Sequence, residues 1–196
     1  MRVLIVDGYN TVHAWPSLRS VLAADGLEAA RRRLVAALAE YAATARVEIT
    51  VVFDAPRGTG RAPSEELIDG VSVRFTGGHD SADHVIERLA YLATRNGPAV
   101  DVVVATSDRL QRDMVRAMGV TTMDSRTLEA EVQAAAQSTA ARAVEMRDRA
   151  ATARRVEHHL SAEVRDRLER MRRGEPAEPE PPVQPPPAEP DPRDQR

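Results

Sequence analysis

Three apolar runs in this chain stop at, or just short of, an aspartate. "VLIVDGYN" reaches Asp7, "EITVVFD" ends at Asp54, and "DVVVATSD" arrives at Asp108 through Thr106 and Ser107. A fourth segment, "GGHDSADHVIER", carries Asp80 and Asp83, which share one side of a helix's first turn. Carboxylates gathered in one place repel each other unless protons or a cation neutralise them. Mg²⁺ or Mn²⁺ suits such a set, because hard cations take oxygen ligands and Mg²⁺ keeps several of its waters. A cation of this kind lowers the pKa of a bound water and polarises a phosphodiester. On this reading Asp7, Asp83 and Asp108 are catalytic, and Asp7, Asp80, Asp83 and Asp108 are metal ligands. Gly8 lets the backbone turn close to a substrate, and Asn10 hydrogen-bonds nearby.

Several of these residues have an equally simple structural use. Asp80, with Asp83 three positions on, resembles a helix-capping box. Ser107 and Asp108 could cap the helix that follows them, and Asp124 with Ser125 could cap the next. Asp54 precedes a proline-containing loop and could simply end its strand. No helix is expected to begin at Asp7, which sets it apart. What favours chemistry is the coincidence of acids at several strand ends.

The elements that would position these residues follow from the hydrophobic pattern. Val3–Val6, "EITVVFD" and "DVVVATSD" are continuous apolar runs, as expected of strands buried on both faces of a parallel sheet. Leu27, Leu34, Leu38, Tyr41 and Ala45 recur at helical spacing and predict a long amphipathic helix. Val71, Val73 and Phe75 alternate with polar residues, as in an edge or half-exposed strand. A helix is expected from about Asp80 to Arg95, another up to Met118-Gly119, and "VTTM" is a short last strand. "APRGTGRAP" reads as a loop. Strands alternating with helices predict an α/β fold with a mainly parallel sheet covered on both faces. Ligands of such sheets collect at the carboxyl ends of the strands, where the aspartates stand.

An α/β domain is expected over 1–140, followed by a charged helical arm over 141–173. The segment 174–196, rich in proline and glutamate, has too little apolar surface to form a core and is expected to be disordered. All 27 basic residues are arginine, a bias that a high-GC genome explains, and the net charge of −3 gives no general attraction to polyanions. With no cysteine there is no thiolate chemistry, disulfide or Cys-ligated zinc. Neither a signal peptide nor a membrane span is apparent, so a cytoplasmic protein is expected.

Arg109, Arg112 and Arg116 form a basic stripe beside Asp108. It is either a solvated helix face or a grip on a phosphate backbone, with Arg57, Arg61 and Arg74 as further candidates. His13, His79 and the His158-His159 pair read as incidental or solvated.

Taken in order, "LIVDGYN", "VVFDA", "DSADHVIER" and "VVVATSD" resemble the YacP-like NYN-domain proteins, relatives of the PIN-domain nucleases. The resemblance spans about residues 1–173. It implies a PIN-like three-layer α/β/α sandwich, a divalent metal and endoribonuclease activity on RNA (mRNA or structured RNA), with the ribosome as a further potential partner. Asp7 and Asn10 match the first motif, Asp83 the acidic position of the helix, and Asp108 the acid of "TSD". Asp80 stands where relatives often carry glutamate, one methylene longer. Ser107, Arg109, Arg112 and Arg116 join Asn10 as expected substrate contacts.

Two other functions compete. A phosphoacceptor receiver domain would share the strand-end acids but needs a lysine, and this chain has none. The stronger rival is a non-catalytic RNA- or ribosome-binding module that keeps the PIN-like fold.

Overall fold

The protein, described here from a computed structural model, is defined over residues 1–55, 62–77, 80–95, 100–159 and 162–173. Its sheet grows outward from β1 (Arg2–Asp7), which lies parallel between β2 (Val47–Phe53) and β5 (Asp101–Ala105). Beyond β2 come β4 (Val71–Phe75), parallel to it, and the antiparallel edge strand β3 (Ser64–Ile68). Beyond β5 lies β6 (Thr121–Met123), again parallel, which completes the order β3-β4-β2-β1-β5-β6. The apolar runs become β1, β2 and β5 because a central parallel strand has no face for polar residues.

Alternation along the strands separates two cores. Leu4, Val6, Ile49, Val51, Phe53 and Val73 face one way, towards Leu34 and Leu38 of α2 (Pro16–Ala45) and Leu128 of α5 (Ser125–His159). Ile5, Val52, Val102 and Val104 face the other way, towards Val85 and Ile86 of α3 (Ala82–Thr94) and Val115 of α4 (Arg109–Ala117). The expected three layers are present. A short helix, α1 (Gly8–Ala14), precedes α2 and packs against it, and α6 (Ala162–Arg172) is the last among the described residues.

The first turns of α5 are tied to the sheet and to α2 by polar contacts. The Trp15 indole N–H donates to the Ser125 carbonyl at 2.6 Å, and Ser17 Oγ donates to Glu129 at 2.8 Å. The Tyr41 hydroxyl and an Arg2 guanidinium N–H both donate to Glu131.

Several boundaries differ from expectation. Of the two readings of Val71–Phe75, the half-exposed strand holds, since Val71 and Val73 are buried and Ser72 and Arg74 part-buried, while β3 rather than β4 takes the edge. β3 itself was not anticipated, because all five of its residues are exposed and leave no pattern of burial. The helix expected from Asp80 starts at Ala82 with Ser81 as its cap. Gly26, with φ +84°, breaks α2 into two helical pieces, and Leu27 just after it is exposed rather than core-facing. The chain divides into two units, Met1–Val144 and Glu145–Arg196. The helix that leads into the expected arm begins at Ser125, well before residue 141. The expected disordered tail, 174–196, lies outside the described residues, as do Arg57, Arg61 and His79.

Candidate active site

The sheet's connections run outward from β1 in both directions, through β2 on one side and β5 on the other. The carboxyl ends of β1 and β5 therefore flank the topological switch point, where ligands of open α/β sheets bind. Asp7 is the last residue of β1, and Thr106 to Asp108 follow β5. Alternation places Asp7 on the same face as Ile5, the face covered by α3 and α4. Those two helices begin beside it, α3 with Asp83 in its first turn and α4 with Asp108 as its cap.

Electrostatics show that the three carboxylates share one neighbourhood. Burial, followed by the charges of Asp83 and Asp108, pushes Asp7 up to about 6 from an ordinary 3.8. Hydrogen bonds from the Asn10 backbone and the Thr106 side chain oppose that rise. The Asp83 carboxyl is also raised, first by desolvation and then by the charges of Asp108 and Asp54. Asp54 accepts from the Thr76 hydroxyl at 2.8 Å, and that hydroxyl in turn accepts from the Ala55 N–H. Asp54 is thus held at the margin of the group rather than merely ending its strand.

Each acid also has a local structural use. Contrary to expectation, a helix does begin at Asp7, which caps α1 by accepting from Asn10 N–H at 3.1 Å. Asp108 caps α4 through Oδ1, which accepts from the N–H groups of Leu110 and Gln111 at 2.8 and 3.2 Å. Capping through one oxygen still leaves a carboxylate further acceptor capacity. Asp80 is not brought into the group. It neither caps α3 nor figures among the charges that raise Asp7 or Asp83, and its carboxylate faces Arg88 at 3.7 Å.

Asn10 and Ser107 form a brace across the switch point. Asn10 Oδ1 accepts from Ser107 N–H at 2.8 Å and from the Ser125 hydroxyl at 3.1 Å. Ser107 Oγ accepts from Ser125 N–H at 3.3 Å. With its carbonyl oxygen fixed, the Asn10 amide has a set orientation, and its NH₂ group remains a donor for a ligand. Gly8 has a different role from the one expected. A Cβ there would lie 2.4 Å from the Phe53 ring, so glycine makes room for the core rather than for a substrate.

The arginine stripe is partly engaged in the fold. Arg112 pairs with Asp124 at 3.4 Å, and Arg116 Nε donates to Thr122 Oγ1 at 2.7 Å, so both tie α4 to the β6 end of the sheet. Asp124 also accepts from Arg126 N–H, as a cap does. Arg109 is exposed at the start of α4, next to Asp108. Arg74 pairs with Glu65 on the sheet edge. His13 is exposed in the last turn of α1, away from the strand-end acids in sequence.

Sequence reasoning passed over Gln111. It is only 3% exposed, and its Nε2 donates to Asp83 Oδ1 at 2.7 Å. The available signal was a polar residue at a core-facing helix position, one turn before the buried Val115. A cavity of about 310 Å³, lined by Arg31, Val35, Phe53, Val73 and Phe75 among others, is not lined by Asp7, Asp83 or Asp108.

Comparison with known proteins agrees with this architecture. Residues 4–173 match the YacP-like NYN domain. The chain belongs to the YacP-like NYN-domain family. It is 35% identical over 177 residues to the Bacillus subtilis protein YacP, covering 89% of this chain and 99% of that one. It also resembles the crystal structure of Rae1 (YacP) from Bacillus subtilis, with a TM-score of 0.64 and 31% identity. That match covers 89% of this chain and 96% of the other. A mutant of the same protein matches with the same TM-score and identity over 87% and 99%. The family's PIN-like, nuclease-type fold is thus the fold of this chain.

Among the described residues, no three His, Asp or Glu side chains are gathered tightly enough to cage a metal ion. The donor set nevertheless fits a hydrated divalent cation. All its donor atoms are hard oxygens, and its most buried member is driven towards protonation first by burial and then by two like charges. Mg²⁺ is commonly bound through one or two carboxylates while it keeps several waters.

Proposed function

We propose that this protein is a Mg²⁺- or Mn²⁺-dependent endoribonuclease that hydrolyses RNA phosphodiester bonds. The observation that carries this reading is that Asp7 and Asp83 at the switch point are both raised, first by burial and then by neighbouring carboxylates, Asp108 among them in each case. A site that keeps three carboxylates in each other's field is strained without a cation and relieved with one. Membership of a family with a nuclease-type fold supports the same conclusion.

Asp7, Asp83 and Asp108 would hold the cation, with Asp54 at the margin. When bound, it supplies an activated water and charge stabilisation for the phosphoryl transition state. The chain's own residues do the rest. Asn10, locked through its carbonyl oxygen by Ser107 and Ser125, presents its NH₂ to a phosphate oxygen. Arg109 offers an exposed guanidinium beside Asp108 for the adjoining backbone. RNA supplies the polyanion that an acidic site would otherwise repel, with the cation between them. Processing or decay of RNA, including RNA presented on a ribosome, is the setting in which such an activity would act.

The test is cleavage of a labelled RNA by purified protein with Mg²⁺ or Mn²⁺, with EDTA, and with Asp7→Asn. The expected result is metal-dependent cleavage that falls by orders of magnitude in the variant. A folded Asp7→Asn protein that cuts normally would remove the metal-nuclease reading and leave an RNA-binding module.

A further inference from the structure

Gln111 is a buried amide with one end paired and one end bare. Its Nε2 donates to Asp83 Oδ1 at 2.7 Å, and its backbone N–H donates to Asp108 Oδ1 at 3.2 Å. One residue thus touches two of the three acids. The amide orientation is chemically determined, because Oε1 in place of Nε2 would set an acceptor against the Asp83 carboxylate. Oε1 is left buried with no hydrogen-bond partner among the described residues. A buried carbonyl oxygen without a donor is unfavourable and rare, and calls for an explanation.

An amide serving only the core would be better replaced by leucine or methionine, which fit a position between α3 and α4 and leave nothing unpaired. Retaining glutamine makes sense if the carboxylate must be held in place and the oxygen has an eventual donor. The surrounding acids are acceptors when ionised and cannot provide one. A water carried on a divalent cation can, since such waters are strong donors and Mg²⁺ gives them up reluctantly.

We propose that Gln111 is a positioning residue of the acidic centre: Nε2 fixes the Asp83 carboxylate, and Oε1 accepts an O–H from a water that enters with the divalent cation. This rests on reading the acidic centre as a metal site. It adds a residue that is neither a ligand nor a substrate contact, but a partner to both ends of the hydrated ion's surroundings. Partners of this kind, once removed, lower metal affinity or activity about 10- to 100-fold.

The experiment compares wild type, Gln111→Met and Gln111→Asn in Mn²⁺ titration followed by electron paramagnetic resonance, in metal-free melting, and in RNA cleavage. Methionine removes both polar atoms at similar length. Asparagine keeps the amide but falls one methylene short of Asp83. The expected result is Mn²⁺ binding weakened about tenfold or more in both variants, and a lower kcat with little change in KM. The metal-free midpoint of Gln111→Met should be held or raised, because the bare carbonyl is gone. Unchanged Mn²⁺ affinity in the folded variants overturns the proposal. So does a failure of both variants to fold, which would make the amide a core element. Wild-type protein that neither binds Mn²⁺ nor cuts RNA would instead sink the nuclease reading itself.

Discussion

Asp7 carries two obligations that pull in opposite directions. As the cap of α1 it benefits from accepting the Asn10 N–H, yet burial and its acidic neighbours oppose its charge. The folded protein holds its proton up to about pH 6, whereas an ordinary aspartate releases it near 3.8. Between those values the folded state binds more proton than the unfolded one, so metal-free stability falls as pH rises through that window. The whole effect is at most on the order of 3 kcal/mol. Asparagine caps as well as aspartate does and carries no charge. Metal-free Asp7→Asn should therefore match or exceed wild type in urea unfolding at neutral pH and lose most of the pH slope. A variant that unfolds more easily at neutral pH would show that its carboxylate stabilises the fold. Part of this residue-scale picture was legible in advance: Asp7 and Asp108 stood out because acids at or just beyond the ends of buried runs are conspicuous, and Asp83 because it stands in a helix's first turn with a second acid three residues before it. Gln111 did not stand out, since a single amide on a helix has no signature until its burial is known. The cap role of Asp7 was hidden because α1 has only seven residues and little apolar periodicity.

At the level of elements, α1 is seated by what glycine lacks. Gly8 lets the Phe53 ring occupy the space a Cβ would fill, and Tyr9 then meets that ring edge-on at 5.2 Å between centroids. Alanine normally favours a helix, but here the overpacking should dominate, and Gly8→Ala is expected to lose about 1–3 kcal/mol in denaturant unfolding. No loss would mean that Phe53 can swing away freely. Helix α4 allows the arginine stripe to be divided. Arg109→Glu should weaken RNA binding and lower its salt dependence by about one phosphate contact while leaving the melting midpoint in place. Arg112→Glu sets a second carboxylate against Asp124 and should lower the midpoint as well. Equal midpoints for the two variants would show that the Arg112–Asp124 pair contributes nothing. The central strands were readable because both their faces are buried, whereas β3 was not. Its Leu67 is 76% exposed, so its place in the sheet comes from backbone pairing with β4, which side-chain pattern cannot report.

On the scale of the whole molecule, the buried hydrophobic residues described end at Val132, within the unit Met1–Val144. A fragment of residues 1–144 should therefore unfold cooperatively, and removal of 174–196 should leave the full-length midpoint within a few degrees. A non-cooperative melt for the fragment would place essential packing beyond residue 144. The order of the sheet has a bearing on the life of the chain during synthesis. Asp7 meets Asp108 only when β1 pairs with β5, and between them the chain must first make β2, β3, β4 and α3. Synthesis runs at about 5–20 residues per second, and long-range parallel pairing is slow to form. The acids therefore stay apart until most of the domain has left the ribosome. A truncated or stalled product that ends before β5 carries Asp7 and Asp83 without Asp108, so the nuclease proposed above would be harmless to its own message until synthesis has passed β5.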